Sequence, residues 1–267
     1  MNKLSIPDFN LENKISNYKC INTFFLKLLA IIIMTIDHIG AIIGTERFED
    51  LNYITISNLI PYDTYVLLRS IGRLAFPIFC YLIAEGFFYT RNVYKYALRL
   101  LIFAFVSQIP YSLAIHKLFI NYKELNVFFT LTLGLISIII VDKCITLYKR
   151  NKDTDTKYLF ILLSVICTLI ITHFANFLSS SYEWYGVLLV LSFYLLKDKY
   201  ICQLLIIGYI TYLFCDKNIH DIQMLSLYAL IPIWLHNHKK GPGLKYFFYL
   251  YYPLHQIVLY FIYLYMN

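Results

Sequence analysis

Charge is scarce in this chain. Only 15% of its 267 residues are Asp, Glu, Lys or Arg, and 60% are hydrophobic, whereas a soluble domain is about a quarter charged and about half apolar. A single water-soluble core cannot hide that excess, because cores stop growing at about this length. A soluble enzyme, a disordered chain and a nucleic-acid binder are thereby excluded, and the bilayer becomes the solvent. Paired cysteines are also missing. The six present (Cys20, Cys80, Cys144, Cys167, Cys202, Cys215) lie far apart with no C-x-x-C, which removes a disulfide framework and zinc-finger spacing. Cys80, Cys144, Cys167 and Cys202 fall in or beside apolar runs and read as small packing residues. There is no Walker A, H-E-x-x-H or G-x-S-x-G motif and no metal-ligand cluster of short spacing. ATP coupling and metal-assisted hydrolysis lose their usual signatures, and no metal is expected.

What the chain does have is long apolar runs. A spanning helix needs about 20 mostly apolar residues, and candidates occur at 24–43, 70–89, 97–115, 126–142, 158–178, 184–196, 200–214, 222–235 and 246–265. The expected fold is therefore all-α: a polytopic integral membrane helical bundle of about nine transmembrane helices, eight to ten at the limits. The runs at 184–196, 200–214 and 222–235 are short enough to be partly re-entrant. Residues 1–23 are polar and read as a cytoplasmic leader, and 24–267 as a single transmembrane domain. No small-residue cleavage site follows the first apolar run, so that run reads as a retained anchor. The net charge of +7 needs no polyanion partner. Arg91, Lys95 and Arg99, then Lys143 to Lys157, Lys197 and Lys199, and Lys239 to Lys245 cluster in alternate loops, which puts the N-terminus in the cytoplasm of a cell (inner) membrane protein. The loop with Lys117 and Lys123 fits this pattern worst.

The informative residues are polar ones inside the spans, because a charge at a helix centre costs roughly 2.5–3.5 kcal/mol or more to insert. Asp37 and His38 lie in the first span, with His38 about 21 Å along it. Adjacent helical residues point about 100° apart, so Asp37 cannot orient His38, and each needs a partner elsewhere. The second span carries Arg69 and Arg73 one turn apart on one face, with Pro77 interrupting the backbone ladder and Gly72 permitting close helix approach. Arg73 is the natural partner of Asp37. The bland alternative is a neutralised Asp with a bystander His at the rim. Glu85 lies about 18 Å beyond Arg73, so it either pairs with a basic residue of a neighbouring span or takes part in function. Asn126, His173, Asn176, Glu183 and Gln223 reach the outer or middle layer. His255 lies near mid-membrane in the last span, with Tyr251 and Tyr252 on its face and Pro253 able to bend the helix towards a cavity.

These segments resemble the TraX family. The resemblance is carried by Met34-Thr35-Ile36-Asp37-His38-Ile39-Gly40, Ile71-Gly72-Arg73-Leu74-Ala75-Phe76-Pro77, Glu85-Gly86-Phe87 with Thr90-Arg91, and Arg99 to Ala104 with Ile109-Pro110. It continues through Asn126 to Leu131, Tyr185-Gly186-Val187-Leu188-Leu189, and Tyr252-Pro253-Leu254-His255, so it covers nearly all of 24–263. The last cytoplasmic loop departs from the family's Asn-Gly pattern, since Asn237 is followed by His238-Lys239-Lys240-Gly241.

The resemblance implies a membrane acyltransferase that takes an acetyl group from acetyl-CoA in the cytoplasm to an acceptor on the other side. That acceptor is the amine of a pilin-like or other membrane peptide; a lipid or surface sugar is the alternative. On this reading His38 is the general base, with Asp37, Arg73 and His255 completing the catalytic set. Arg91, Lys95 and Arg99 meet the donor's phosphates, and Arg69, Glu85, Tyr252, Asn126 and Glu183 are candidates for substrate binding. Direct transfer and an acetyl-histidine intermediate stay open. The rival classes are a proton-coupled transporter or flippase, against which stands the lack of repeated halves, and a non-catalytic membrane partner of an export or conjugation complex.

Overall fold

The computed structural model describes residues 18–48, 53–56, 59–243 and 245–266. The expected leader therefore lies largely outside the described residues. Helix α1 spans Thr23–Ile43 and a short antiparallel hairpin follows, β1 (Thr45–Phe48) on β2 (Tyr53–Ile56), with Thr45 opposite Ile56. Then come α2 (Tyr62–Gly72), α3 (Ala75–Tyr89), α4 (Val93–His116), α5 (Val127–Arg150), α6 (Thr154–Phe177), α7 (Glu183–Leu195) and α8 (Tyr200–Phe214). A 3-10 helix at Ile222–Ala229, α9 (Leu230–Trp234) and α10 (Lys245–Met266) complete the chain. The molecule is a polytopic helical membrane bundle, with a short hairpin between α1 and α2 among the described residues.

Among the described residues six helical segments are long and apolar enough to cross a membrane: α1, the α2–α3 pair, α4, α5, α6 and α10. Three shorter apolar segments, 183–195, 200–214 and 222–234, sit where the short runs were expected. At 1.5 Å per residue the 24 residues of α5 reach about 36 Å, but the 13 of α7 only about 20 Å. Helix α7 is surrounded by protein, with Tyr185, Val187, Leu189 and Val190 fully buried. It packs on α3, α5 and α6. Close approach is bought with glycine, since a β-carbon at Gly134 would crowd Val190 and one at Gly186 would overlap Thr130 and Phe76. Helix α6 is the opposite case. Its flank of Leu159, Leu162, Leu169 and Ile170 is exposed, which suits hydrocarbon and not water.

The segment expected as a span at 222–235 is mostly a 3-10 helix, and its residues explain why. Gln223, Ser226 and Ala229 are buried while Ile222, Leu225 and Tyr228 are exposed. That period of three matches three residues per turn, not 3.6. Asp221 caps it by accepting from the Gln223 backbone N–H at 2.7 Å. With its longer rise, this helix and α9 together reach about 24 Å.

The second long segment breaks between Gly72 and Ala75. Pro77 has no N–H and its ring crowds the carbonyl of Arg73, so the ladder fails one turn before the proline. Proline alone does not decide this, because α4 and α10 run on through Pro110 and Pro253. The ends of the bundle are tied by short bridges. Ile21 pairs with the 235–237 segment, its N–H donating to Leu235 O at 3.0 Å and its carbonyl accepting from Asn237 at 2.8 Å. Leu125 pairs with Ser180 in the same way.

Candidate functional site

The packing of α1 against α2, α3 and α10 assembles most of the catalytic candidates. The Asp37 carboxylate takes one guanidinium per oxygen, Arg69 on Oδ2 at 2.7 Å and Arg73 on Oδ1 at 2.9 Å. Arg73 is fixed further, donating through Nε to the Arg69 carbonyl at 3.0 Å and through NH1 to Gln223 Oε1 at 3.3 Å. Gly72 makes room for this arrangement, because a β-carbon there would overlap the Asp37 carboxyl. Two cations on one carboxylate leave the cluster with an excess positive charge. Inside a membrane that excess favours an anion or a developing oxyanion nearby.

His38 does not join Asp37. Its Nδ1 lies 2.6 Å from Nε2 of His255, with the two rings nearly parallel. His255 Nδ1 is 2.8 Å from the Tyr251 carbonyl. A carbonyl can only accept, so His255 carries its proton on Nδ1 and a neutral ring then accepts at Nε2. That makes His38 the donor through Nδ1–H and leaves its Nε2 lone pair facing away. The network itself assigns these tautomers. Tyr251 is tied to α1 through Thr35, hydroxyl to hydroxyl at 2.7 Å, and Tyr252 packs edge-on to the His38 ring. Beside His255 lies a cavity of about 420 Å³ lined by Thr35, Phe247, Leu250, Tyr251, Leu254, His255, Val258 and Leu259. Its Leu250, Leu254 and Val258 walls are exposed, so the groove faces the membrane.

The other sequence candidates separate from this centre. Asn126 is a structural cap: its Nδ2 donates to Ala104 O at 2.7 Å and Gln108 Oε1 at 2.8 Å, and its Oδ1 accepts from Phe128 N at 3.0 Å. Both amide hydrogens are committed, which leaves none for a substrate. Glu183 sits at the first turn of α7. His173 and Asn176 are exposed, with Asn176 capping α7 by accepting from Trp184 N at 2.9 Å. Cys80 and Cys144 are buried as expected, but Cys202 faces outward. Arg91 and Lys95 are exposed on the first turns around α4, and Arg99 lies over the Tyr96 ring at 5.8 Å. Lys117, the worst fit to the charge pattern, turns inward to cap Ile42 O at 2.7 Å and Ala114 O at 2.9 Å. It serves packing, and so says little about sidedness.

Glu85 belongs to a second cluster. Its Oε1 is 2.7 Å from His238 Nδ1 and 3.9 Å from His236 Nδ1, and Lys197 Nζ is 3.9 Å from Oε2. The expectation of a basic partner is met, but by the 197–199 and 236–238 loops instead of a neighbouring span. Tyr81 OH lies 2.8 Å from His236 Nδ1. Burial pushes the His236 imidazole down to about 4, although Glu85 pulls the other way. Partial burial would raise the Asp198 carboxyl, yet its hydrogen bond and charge pairing with Lys19 hold it below the usual range. His236 and His238 were not among the residues expected from sequence. The signal was present as His236-Asn237-His238, two imidazoles at i and i+2 in a loop already marked as departing from its pattern.

Comparison with known proteins gives the context. The chain is 30% identical over 255 residues to a protein of Dichelobacter nodosus described as "Probable fimbrial assembly protein FimC, serogroup H1", covering 88% of this chain and 92% of that protein. It is 32% identical over 134 residues to "Uncharacterized protein RP591" of Rickettsia prowazekii (strain Madrid E), covering 50% of this chain and 40% of that protein. No solved structure matches. The family described as TraX protein matches residues 23–263, which takes in both clusters, and the chain therefore belongs to the TraX family.

Proposed function

We propose that this chain is a membrane-embedded acyltransferase moving an acetyl group from acetyl-CoA on the cytoplasmic side to an acceptor amine on the other. The observation that carries the reading is the directed chain from the Tyr251 carbonyl through His255 to His38, which leaves His38 Nε2 as a free base. It follows the logic of an activated base oriented by a second group and anchored by a third. The acceptor nitrogen attacks the thioester carbonyl as its proton passes to His38 Nε2. The C–N bond forms, the oxyanion faces the excess charge of Arg69 and Arg73, the C–S bond breaks, and the proton goes from His38 to the leaving sulfur.

The groove beside His255 supports an acceptor with an apolar segment, such as the amine end of a membrane peptide, over a soluble sugar. The fimbrial name of the D. nodosus relative points the same way, towards a pilin-like subunit. Lys95 and Arg99, one turn apart on α4, and Arg91 just before its N-cap supply cations for the donor's phosphates. The loop charges favour a cytoplasmic N-terminus in the inner membrane.

The test is acetyl-CoA binding and slow thioester hydrolysis by the protein purified in nanodiscs, beside His38→Ala and Arg73→Ala. Saturable binding, with turnover lost in folded His38→Ala, supports transfer. A folded wild-type sample that binds no acetyl-CoA overturns it and moves a proton-coupled transporter to the front.

A further inference from the structure

Glu85 lies about 15 Å along α3 from its first residue, Ala75, and its cluster takes no part in the proposed transfer. Glu85, His236 and His238 each offer one ligand atom, and these atoms all lie within 4.8 Å of one another. Glu85 is 4% exposed and His236 1%. A cavity of about 10 Å³, bordered by Tyr81, His236, His238, Lys197 and Asp198, adjoins them, which is room for a single water-sized sphere.

The far sides of the two imidazoles are more telling. A metal-bound histidine almost always donates its other ring N–H to a hydroxyl, carbonyl or carboxylate, which fixes the ring and its tautomer. His236 directs Nδ1 towards Glu85 and holds Thr23 Oγ1 on Nε2 at 3.0 Å. His238 directs Nδ1 to Glu85, and its Nε2 has Asp198 Oδ1 at 3.3 Å and Lys19 Nζ at 3.2 Å. Asp198 is itself held by Lys19 at 3.2 Å. Both rings thus turn Nδ1 towards Glu85, with the Thr23 hydroxyl behind His236 and the Asp198–Lys19 ion pair behind His238, where zinc binding at Nδ1 makes Asp198 the acceptor of the Nε2 proton.

We propose that Glu85, His236 and His238 form a binding site for a divalent transition-metal ion of the zinc type, with Thr23 and Asp198 orienting the two imidazoles. Two imidazoles and one carboxylate are a donor set that suits zinc, and a water or Tyr81 OH completes four-coordination. The ligands come from α3 and from the 236–238 loop, and their supports from the 19–23 segment and the 197–199 loop. The ion therefore pins four stretches of chain at one end of the bundle. The competing account has no metal: a protonated His238 bridges Glu85 and Asp198, and Lys197 balances the charge.

The test uses the full chain, purified without a polyhistidine tag, loaded with zinc sulfate and desalted. Metal is read by elemental mass spectrometry, and affinity by competition with a chromophoric chelator. About one zinc per chain is expected, with His238→Ala and Glu85→Gln both losing it. Asp198→Asn, at a partly exposed position, is expected to fold and to bind zinc 10–100-fold more weakly, the usual effect of removing such an orienting group. A thermal transition raised by zinc in the wild type and unmoved in Glu85→Gln is a second readout. A folded wild-type protein that retains no zinc overturns the site, as does equal uptake by wild type, His238→Ala and Glu85→Gln. Unchanged affinity in Asp198→Asn overturns the assigned role of Asp198.

Discussion

His38 and His255 are 217 positions apart in sequence, and their ring nitrogens meet at 2.6 Å. The direction of that hydrogen bond is set from outside the pair, by the Tyr251 carbonyl behind His255. On the proposed acyl-transfer reading His255 is the positioning residue and His38 the base. The two substitutions should therefore behave differently. His38→Ala is expected to lower kcat for acetyl transfer by about 10²–10⁴-fold, the usual worth of a general base. His255→Ala should lower kcat less and leave KM for acetyl-CoA unchanged, while the His38→Ala, His255→Ala double variant should be no worse than His38→Ala. Steady-state kinetics of the three variants decide it, and additive losses would break the assignment.

Asp37 is the counter-ion of two guanidiniums, and Gly72 is the space it occupies. Asp37→Asn strands two cations and is expected to cost about 3 kcal/mol, the lower end for breaking a buried pair because Arg69 keeps some solvent contact. Gly72→Ala leaves every charge in place, yet its methyl group displaces the carboxyl; overpacking of this kind costs about 1–3 kcal/mol. Thermal unfolding in one detergent would rank them, with both well below wild type. A Gly72→Ala protein as stable as wild type would mean that α1 and α2 are not so closely packed.

Lys117 gives a pH dependence with a definite sign. Burial lowers its ammonium from 10.5 to about 8, and it also lies 3.7 Å from the centre of the Tyr263 ring. Below pH 8 folded and unfolded chains both carry the proton, and the folded state bears the cost of the buried charge. Between about 8 and 10.5 the folded chain has released it and the unfolded chain has not. The unfolded state then binds more protons, so this group's contribution to stability rises with pH across that window. Melting curves from pH 7.5 to 10 should show that rise in wild type relative to Lys117→Met. Parallel curves would sink the idea.

Much of this organisation could be read from the residues. The nine apolar runs appear as helical segments near their expected positions, because transfer into hydrocarbon is a property of each stretch taken alone. The Asp37–Arg73 pair was legible for a similar reason: a carboxylate in a span needs a cation, and Arg73 was at the right depth. The 3-10 helix is written in the period-three pattern of Gln223, Ser226 and Ala229, which hydropathy alone does not show.

The sequence by itself thus determined the solvent, the approximate number and position of the helices, and the ion pair at their centre. Only the tertiary structure decided that His38 pairs with His255, that Glu85 meets His236 and His238, that Asn126 spends its amide hydrogens on capping, and that Lys117 turns inward. The reason lies in the solvent. Lipid-facing and protein-facing positions in a membrane helix are equally apolar, so composition does not specify how each helix is rotated about its axis. Which polar side chains meet depends on that rotation and on packing between segments far apart in the chain.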